Sequence, residues 1–351
     1  RQRQMCIRDR YKSPRTIRLE TAKRIIDREM EDYSAFENIE IDFFGGEPFL
    51  AFETLKSLTD YINQKYSHAP ITLFTTTNGT LVHGEIQDWL RCHSDSLVCC
   101  LSLDGTSAMH NINRSSSYDD IDLAFFHELY PQQDVKMTIS KETLPYLAEG
   151  VIDMHQKGFL VSCNLAYGFD WSDTESAEIL ERELYKLIDF YLSNPEIEPC
   201  SMLEMGISGA GVKEIEAMRY CGAGLSMKAY DVDGIAYPCQ FFMPLSVGKE
   251  KAANAQNITF PKDVIAEEYL DKTCKECVIR SICPTCFGSN YAATGNIYSR
   301  DENMCRLTKI TMKARSFFRA KQWELGQLHL TPTEEQLLLR AIIRIQEELE
   351  V

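Results

Sequence analysis

Hydrophobic residues along this chain recur with two alternating spacings, one typical of helices and one typical of strands. From Thr16 onward, Leu19, Ala22 and Ile26 recur at helical spacing. Runs of apolar residues then predict strands over 39–44, 71–77, 97–103, 135–139 and 160–165. The stretches after them predict helices over 52–66, 84–92, 118–129, 144–157 and 174–192. Such alternation predicts βαβ units and a parallel sheet.

The strand count predicts an incomplete barrel. Each of the five strands is followed by a helix, while the first helix has no strand before it. The fold class expected is α/β, a partial (βα)6 barrel of TIM type that lacks its first strand. Function is expected in the loops at the carboxyl ends of the strands.

Composition divides the chain into segments. Glycine, proline and cysteine become frequent over 200–306, which predicts a second, metal-dependent module after a barrel over 16–199. Helices are expected over 307–325 and 332–349, the second with Thr331 as N-cap and Glu334 as capping-box partner. Residues 1–15 are expected to be a non-native or misread segment, because MCIRDR resembles translated sequencing-adapter sequence.

Charge and hydropathy exclude several classes of partner. The 351 residues carry a formal charge of −15, which argues against nucleic-acid and anionic-membrane binding. No apolar run approaches the roughly 20 residues needed to cross a bilayer. The expectation is a cytoplasmic globular protein.

Seven of the 13 cysteines are clustered near the carboxyl end of the chain, at short spacings. They are Cys221, Cys239, Cys274, Cys277, Cys283, Cys286 and Cys305. Such clustering indicates metal ligation, and both iron–sulfur clusters and four-cysteine zinc sites fit the spacing of the array by itself. Tyr230 to Pro238 predicts a hairpin between the first two ligands. Cys99, Cys100 and Cys163 lie in apolar runs and are expected to be small core residues.

Polar motifs follow the first three strands. Gly45, Gly46 and Glu47 follow the first strand, where glycines allow close backbone approach and a carboxylate can bind an ammonium group; a tight turn with a solvated Glu is the alternative. Asn78 follows the second strand. Ser102 and Asp104 share one face at the end of the third strand and could together bind ribose hydroxyls. His110 and Arg114, which come next, could equally be surface residues.

These motifs, in this order, resemble radical S-adenosylmethionine (SAM) enzymes that carry a C-terminal SPASM domain. The resemblance covers residues 16–306, and the chain departs from the cysteine pattern only in having two residues, Pro284 and Thr285, where the family has three. The resemblance implies that Gly45, Gly46 and Glu47 bind the methionine part of SAM. It also implies that Ser102 and Asp104 bind the ribose, with Asn78 among the cofactor-binding residues.

The resemblance also implies two auxiliary 4Fe–4S clusters. One would be held by Cys274, Cys277, Cys283 and Cys305. The other would be held by Cys221, Cys239 and Cys286, with a fourth ligand from Cys200 or another group, or with an iron open to a substrate thiolate. The SAM-cleaving cluster needs a C-x3-C-x2-C loop just before Thr21, which this sequence does not contain. That third cluster is expected only in a full-length parent, and the chain as given is expected to be inactive alone.

The reaction implied is hydrogen abstraction by a 5′-deoxyadenosyl radical, with an electron from a donor such as ferredoxin or flavodoxin. SPASM enzymes mostly act on peptides. In anaerobic sulfatase maturases an Asp base follows the Tyr-Pro-Cys motif, whereas Gln240 follows Cys239 here. This favours maturation of a ribosomally synthesised peptide with a leader sequence, through thioether or other crosslinks. A sulfatase-maturase-like enzyme and a non-catalytic zinc or iron–sulfur scaffold are the alternatives.

Overall fold

Five parallel strands form the centre of the protein in a computed structural model that describes residues 15–212, 221–262 and 271–351. The predicted misread segment lies outside the described residues except for Arg15. The strands are β1 (Ile39–Phe43), β2 (Ile71–Thr77), β3 (Leu97–Leu101), β4 (Val135–Ile139) and β5 (Val161–Leu165).

The strands pair in chain order. β1, β2 and β3 form one parallel sheet, and β4 and β5 form another. One bridge between Ser102 and Lys136 joins β3 to β4. The predicted number, order and parallel direction of the strands are therefore confirmed, and among the described strands β1 pairs with β2 alone.

Helices follow the strands along the chain and cover one face of the sheets. They are α1 (Leu19–Glu29), α2 (Phe52–Lys65), α3 (Glu85–His93), α4 (Ser107–Asn113), α5 (Leu123–Leu129), α6 (Leu147–Gln156) and α7 (Thr174–Ser193). The helix expected over 118–129 is wrong in its first half, which is a 3₁₀ turn at Tyr118–Asp120. Sequence periodicity also missed α4, which has only seven residues and begins where the Thr106 hydroxyl accepts a hydrogen bond from the Met109 N–H at 3.3 Å.

The two faces of the sheet differ in polarity. Leu73, Leu97 and Met137 are buried in the core beneath the helices. Alternation along the strands sends Asp42 and Lys136 to the opposite face. Surrounding protein raises the pKa of Asp42 to about 6 and that of the Cys100 thiol to about 11, and the charge of Lys136 opposes both rises. Side chains from β1, β3 and β4 therefore converge there. The uncovered face is therefore a polar surface next to the strand ends.

The cysteine-rich segment folds around a small hairpin. β6 (Ala229–Tyr230) and β7 (Ala236–Tyr237) are antiparallel, and Gly234 turns between them with a left-handed φ of +81°. This confirms the hairpin predicted over Tyr230 to Pro238. The Lys228 ammonium contacts Glu29 of α1 at 2.6 Å, which ties the hairpin to the first helix. Short helices complete the segment: α8 (Ser201–Glu204), α9 (Pro244–Val247), α10 (Lys249–Ala255), α11 (Lys272–Lys275) and α12 (Phe287–Thr294).

Two long helices close the chain, α13 (Glu302–Glu324) and α14 (Pro332–Glu348). The predicted capping box of α14 is confirmed, with Glu334 and Thr331 bonded reciprocally. The predicted start of α13 is wrong, because Asp301 caps the helix by accepting from the Asn303 and Met304 N–H groups. Cys305 therefore lies in the first turn of a helix that packs against α7. None of the helices in the described part of the chain is both long and apolar enough to cross a membrane.

Candidate functional site

Glu47 is fixed at the carboxyl end of β1 by three hydrogen bonds. Its Oε1 accepts from the Thr77 hydroxyl at 2.8 Å and from the Phe49 N–H at 3.2 Å, and its Oε2 accepts from the Asn78 N–H at 2.8 Å. Burial raises the pKa of the carboxyl, and these hydrogen bonds oppose the rise. A cation beside Glu47 would favour the ionised form further. The carboxylate is therefore preorganised for a positively charged ligand group.

Gly45 and Gly46 leave room beside that carboxylate. Neither has a left-handed φ, so the backbone conformation does not require glycine at either position. A Cβ built on either residue meets no heavy atom of the described chain within 4 Å. The missing side chains therefore keep open a space through which a ligand can approach the backbone.

Asn78 contributes to this corner through its backbone. Its N–H is the donor to Glu47, while its side-chain oxygen accepts from the Thr80 N–H at 3.0 Å and the Thr80 hydroxyl at 2.8 Å. The side chain thus stabilises the turn after β2. A direct contact of Asn78 with a cofactor stays a prediction.

Asp104 lies in a buried ion pair. Arg114 donates Nε–H to Oδ2 at 2.7 Å and an Nη2 hydrogen to Oδ1 at 3.0 Å, and Oδ1 also accepts from the Thr138 N–H at 2.8 Å. Asp104 is only 1% exposed. The carboxylate therefore links the ends of β3 and β4 inside the protein, whereas Ser102 belongs to the polar face that bridges to Lys136.

His110 supports the same corner from α4. Its Nδ1 accepts from the Asp104 N–H at 3.3 Å and its Nε2 pairs with the Ser117 hydroxyl at 3.2 Å. Burial lowers its pKa to about 4, so the ring is neutral at pH 7. The sequence left open whether His110 and Arg114 lie on the surface; both are buried. Their spacing could have revealed this, because a short helix that starts just after Asp104 brings positions 110 and 114 back toward that residue.

Cys274, Cys277, Cys283 and Cys305 line one cavity of about 110 Å³. Burial raises the pKa of Cys283 to about 12, and the Cys305, Cys277 and Cys274 thiols raise it further. Burial also raises the pKa of Cys305, and the Cys274 and Cys277 thiols raise it further. The structure thus brings together the four cysteines that were predicted to share one cluster; they are called the first cysteine group below.

Cys221, Cys239 and Cys286 form a second cysteine group. Burial raises the pKa of Cys239 to about 12, and the Cys286 and Cys221 thiols add to this rise. The group lies against a core that includes Phe242 and Phe287. Cys286 also lines the cavity of the first group, so the two groups are neighbours.

Cys200 is not placed to complete the second group. It is fully buried in the core below β5, where its side chain is hydrogen-bonded to Cys163 and its N–H donates to the Tyr191 hydroxyl at 2.9 Å. Of the three alternatives for the fourth ligand, the structure therefore speaks against Cys200, because the short helix α8 that follows it packs against α13 and β5 in the main core. Cys99, Cys100 and Cys163 are buried, as predicted.

Tyr167 is a site residue that the sequence did not reveal. It follows β5, lines the cysteine cavity, and stacks edge-on against Phe241 with ring centroids 4.9 Å apart. Burial raises its pKa to about 12, and the Cys286 thiol contributes to this rise. Tyr167 therefore connects the strand ends to the second cysteine group.

The size of the cavity fits a polynuclear cluster. About 10–15 Å³ of such space holds one water molecule, so 110 Å³ exceeds the needs of a single ion severalfold. Within the described ranges, no three His, Cys, Asp or Glu side chains converge closely enough for one metal ion. Thiols that are protonated by burial lose their protons when iron binds them. The donor set is all sulfur, which iron–sulfur clusters use.

The chain is similar to known proteins over different parts of its length. Residues 4–118 match the family model described as a 4Fe-4S single cluster domain. An uncharacterized protein of Methanocaldococcus jannaschii is 26% identical over 146 residues, which are 40% of this chain and 49% of that protein. The match thus spans about half the length of this relative.

Solved structures share the fold over nearly the whole chain. Polyhistidine-tagged anSMEcpe with bound AdoMet has a TM-score of 0.67 and 17% identity, covering 95% of this chain and 92% of that one. Native anSMEcpe with AdoMet and the Cp18Cys peptide has a TM-score of 0.65 and 17% identity, covering 90% and 92%. These matches confirm the predicted α/β fold over nearly the whole chain.

Proposed function

We propose that this chain carries the AdoMet-binding and auxiliary-cluster parts of a radical SAM enzyme that modifies a peptide. The observation that supports it most is the pairing of two sites on one fold. Glu47 offers a preorganised carboxylate at the strand ends, and the two cysteine groups offer all-sulfur donor sets in the carboxyl-terminal part of the chain. A structural zinc protein needs the second feature but not the first.

The residues at the strand ends would hold AdoMet. Glu47 would accept hydrogen bonds from the methionine ammonium, and Gly45 and Gly46 would let that part of the ligand lie against the backbone. Ser102, on the polar face, would contact the ribose. Asp104 would act with it by keeping the end of β3 in place through Arg114. AdoMet bound beside a reduced 4Fe–4S cluster supplies hydrogen abstraction through a 5′-deoxyadenosyl radical.

The two cysteine groups would each hold an auxiliary 4Fe–4S cluster. The first group supplies four thiolates, which is a full ligand set. The second group supplies three, and with Cys200 enclosed in the core its remaining iron would be open or held by another group. An open iron would suit the thiolate of a cysteine-containing peptide. An external donor such as ferredoxin or flavodoxin would supply the electrons.

The substrate proposed is a ribosomally synthesised peptide with a leader sequence, joined through thioether or other crosslinks. In sulfatase maturases an Asp that follows the Tyr-Pro-Cys motif serves as the base. Gln240 occupies that position after Cys239 here, and its side chain cannot serve as the base. A sulfatase-maturase-like activity is the second candidate, and the likeness in fold to anSMEcpe favours it.

Metal and AdoMet binding test the proposal on the full chain. After anaerobic reconstitution with iron and sulfide, we expect about eight iron atoms per chain for two 4Fe–4S clusters. Equilibrium dialysis should show AdoMet binding that Glu47→Gln weakens at least about tenfold, a loss of roughly 1.4 kcal/mol. Glu53→Gln, at an exposed helix position, is the matched control.

Two other outcomes would redirect the assignment. Stoichiometric zinc with no iron uptake and no AdoMet binding would leave a zinc scaffold and overturn the proposal. Binding of the Cp18Cys peptide by the AdoMet-loaded chain would favour the sulfatase-maturase candidate over the crosslinking one.

A further inference from the structure

The two cysteine groups have different electrostatic surroundings. Arg300 and Lys309 line the cavity of the first group. Burial dominates and raises the pKa of Cys283 and of Cys305, but Arg300 opposes the rise at both thiols and Lys309 opposes it at Cys305. Two cations therefore lie close enough to favour negative charge on this set of sulfurs.

Arg300 also offers an unused hydrogen-bond donor. Its Nε is buried and has no hydrogen-bond partner in the described part of the chain. Leaving a buried guanidinium N–H unsatisfied is costly, so such a donor usually has a partner. Because Arg300 lines the cavity, the sulfur atoms of a cluster bound there would lie close to its side chain.

The acidic side chains beside this cavity already have other partners. Asp301 accepts from the Asn303 N–H at 3.1 Å and caps α13, and Asp271 accepts from the Thr273 N–H at 3.1 Å and caps α11. Both carboxylates are thus engaged in helix capping. Hydrogen bonds from Thr273 lower the pKa of Asp271, and the N–H and the charge of Arg300 lower it further, so the charge of Arg300 acts on Asp271 as well as on the cysteines.

Within the described residues, no cation is among the influences that shift the pKa of Cys239 or of Cys286. Burial raises the pKa of Cys239 and Cys286, neighbouring thiols raise it further, and backbone N–H groups lower it. Its surroundings are aromatic and apolar. A negatively charged cluster there would be stabilised less when it gains an electron.

We infer that Arg300, supported by Lys309, tunes the cluster of the first cysteine group to a higher reduction potential than the cluster of the second group. This rests on the proposed function, since it requires both groups to hold iron–sulfur clusters. The physical reason is that reduction adds a negative charge to the cluster. A guanidinium N–H hydrogen bond to sulfur and two nearby cations stabilise that added charge.

Redox titration of the reconstituted chain, followed by electron paramagnetic resonance, tests this inference. Two signals should titrate at separate potentials, and Cys274→Ala should remove the one at higher potential. Arg300→Gln should lower the equilibrium constant for reduction of that cluster at least tenfold, which is about 59 mV for a one-electron couple. The other signal should stay unchanged.

Two further variants separate charge from hydrogen bonding. Arg300→Lys keeps the charge and should shift the potential less than Arg300→Gln does. Arg280→Gln is the matched control, because Arg280 lines the same cavity but donates to the Lys275 carbonyl at 2.5 Å. It should shift the potential least of the three.

The possible failures can be told apart. If the wild-type chain takes up no iron, the proposed function fails before the inference is reached. If clusters form but Arg300→Gln and Arg280→Gln leave the same potential, the inference is overturned. If Arg300→Gln loses the cluster, pulsed resonance on chain with ¹⁵N-labelled arginine decides: a nitrogen coupling to the higher-potential cluster, absent in Arg300→Lys, is expected, and no coupling overturns it.

Discussion

Loss of Arg114 should destabilise the protein strongly, because it would leave the carboxylate of Asp104 charged and buried. The two side chains are only 7% and 2% exposed, and two hydrogen bonds of 2.7 and 3.0 Å join them. In Arg114→Gln the carboxylate keeps the Thr138 N–H but loses its counter-charge. Breaking a buried pair from one side costs about 3–5 kcal/mol.

The double variant tests whether charge burial is the cause. Asp104→Asn combined with Arg114→Gln removes both charges and leaves neutral groups that can still hydrogen-bond. We expect it to recover more than half of the stability lost in Arg114→Gln. Arg91→Gln is the surface control: its pair with Asp88 is exposed, and such pairs contribute about 0.2–1 kcal/mol.

Urea unfolding of the full chain at pH 7, followed by circular dichroism, measures these differences. The midpoint should fall markedly for Arg114→Gln with an unchanged slope, since a changed slope would signal a different unfolding transition. A loss below about 1 kcal/mol, similar to that of Arg91→Gln, would refute the argument. It would mean that water reaches Asp104 and that the corner after β3 is not sealed.

Three other outcomes are expected from the same structure. The contribution of His110 to the free energy of unfolding should be complete above about pH 6.5 and should fall by up to about 3 kcal/mol toward pH 4. The reason is that unfolding lets His110 take up a proton that burial keeps off in the folded state. In urea titrations at several pH values, His110→Gln should flatten this dependence. Cys239→Ala should lower the reconstituted iron content to about one 4Fe–4S cluster, whereas Cys200→Ala should leave it unchanged; equal losses would put Cys200 back among the ligands. Tyr167→Phe should alter the resonance signal of the second cysteine group more than that of the first, because the Cys286 thiol is the one that influences the pKa of Tyr167; a larger change at the first group would contradict this.

Much of the architecture followed from local pattern. β2 and β4 have the bounds that the alternation predicted, and α14 begins at its predicted capping box. Local pattern was less successful where elements are short or where a cap overrides periodicity. α4 has seven residues, and the Asp301 cap starts α13 before its first strongly apolar position.

The sequence by itself determined the order of strands and helices, the placement of Glu47 after the first strand, and the clustering of seven cysteines at short spacings. These depend on spacing along the chain, which local periodicity and short loops record directly. Only the tertiary structure decided that Asp104 pairs with Arg114, that Cys200 is enclosed beside Cys163, and that Arg300 lies against the first cysteine group. Whether a polar side chain meets a ligand, an internal partner or water depends on which distant segments bury it, and sequence spacing does not record that.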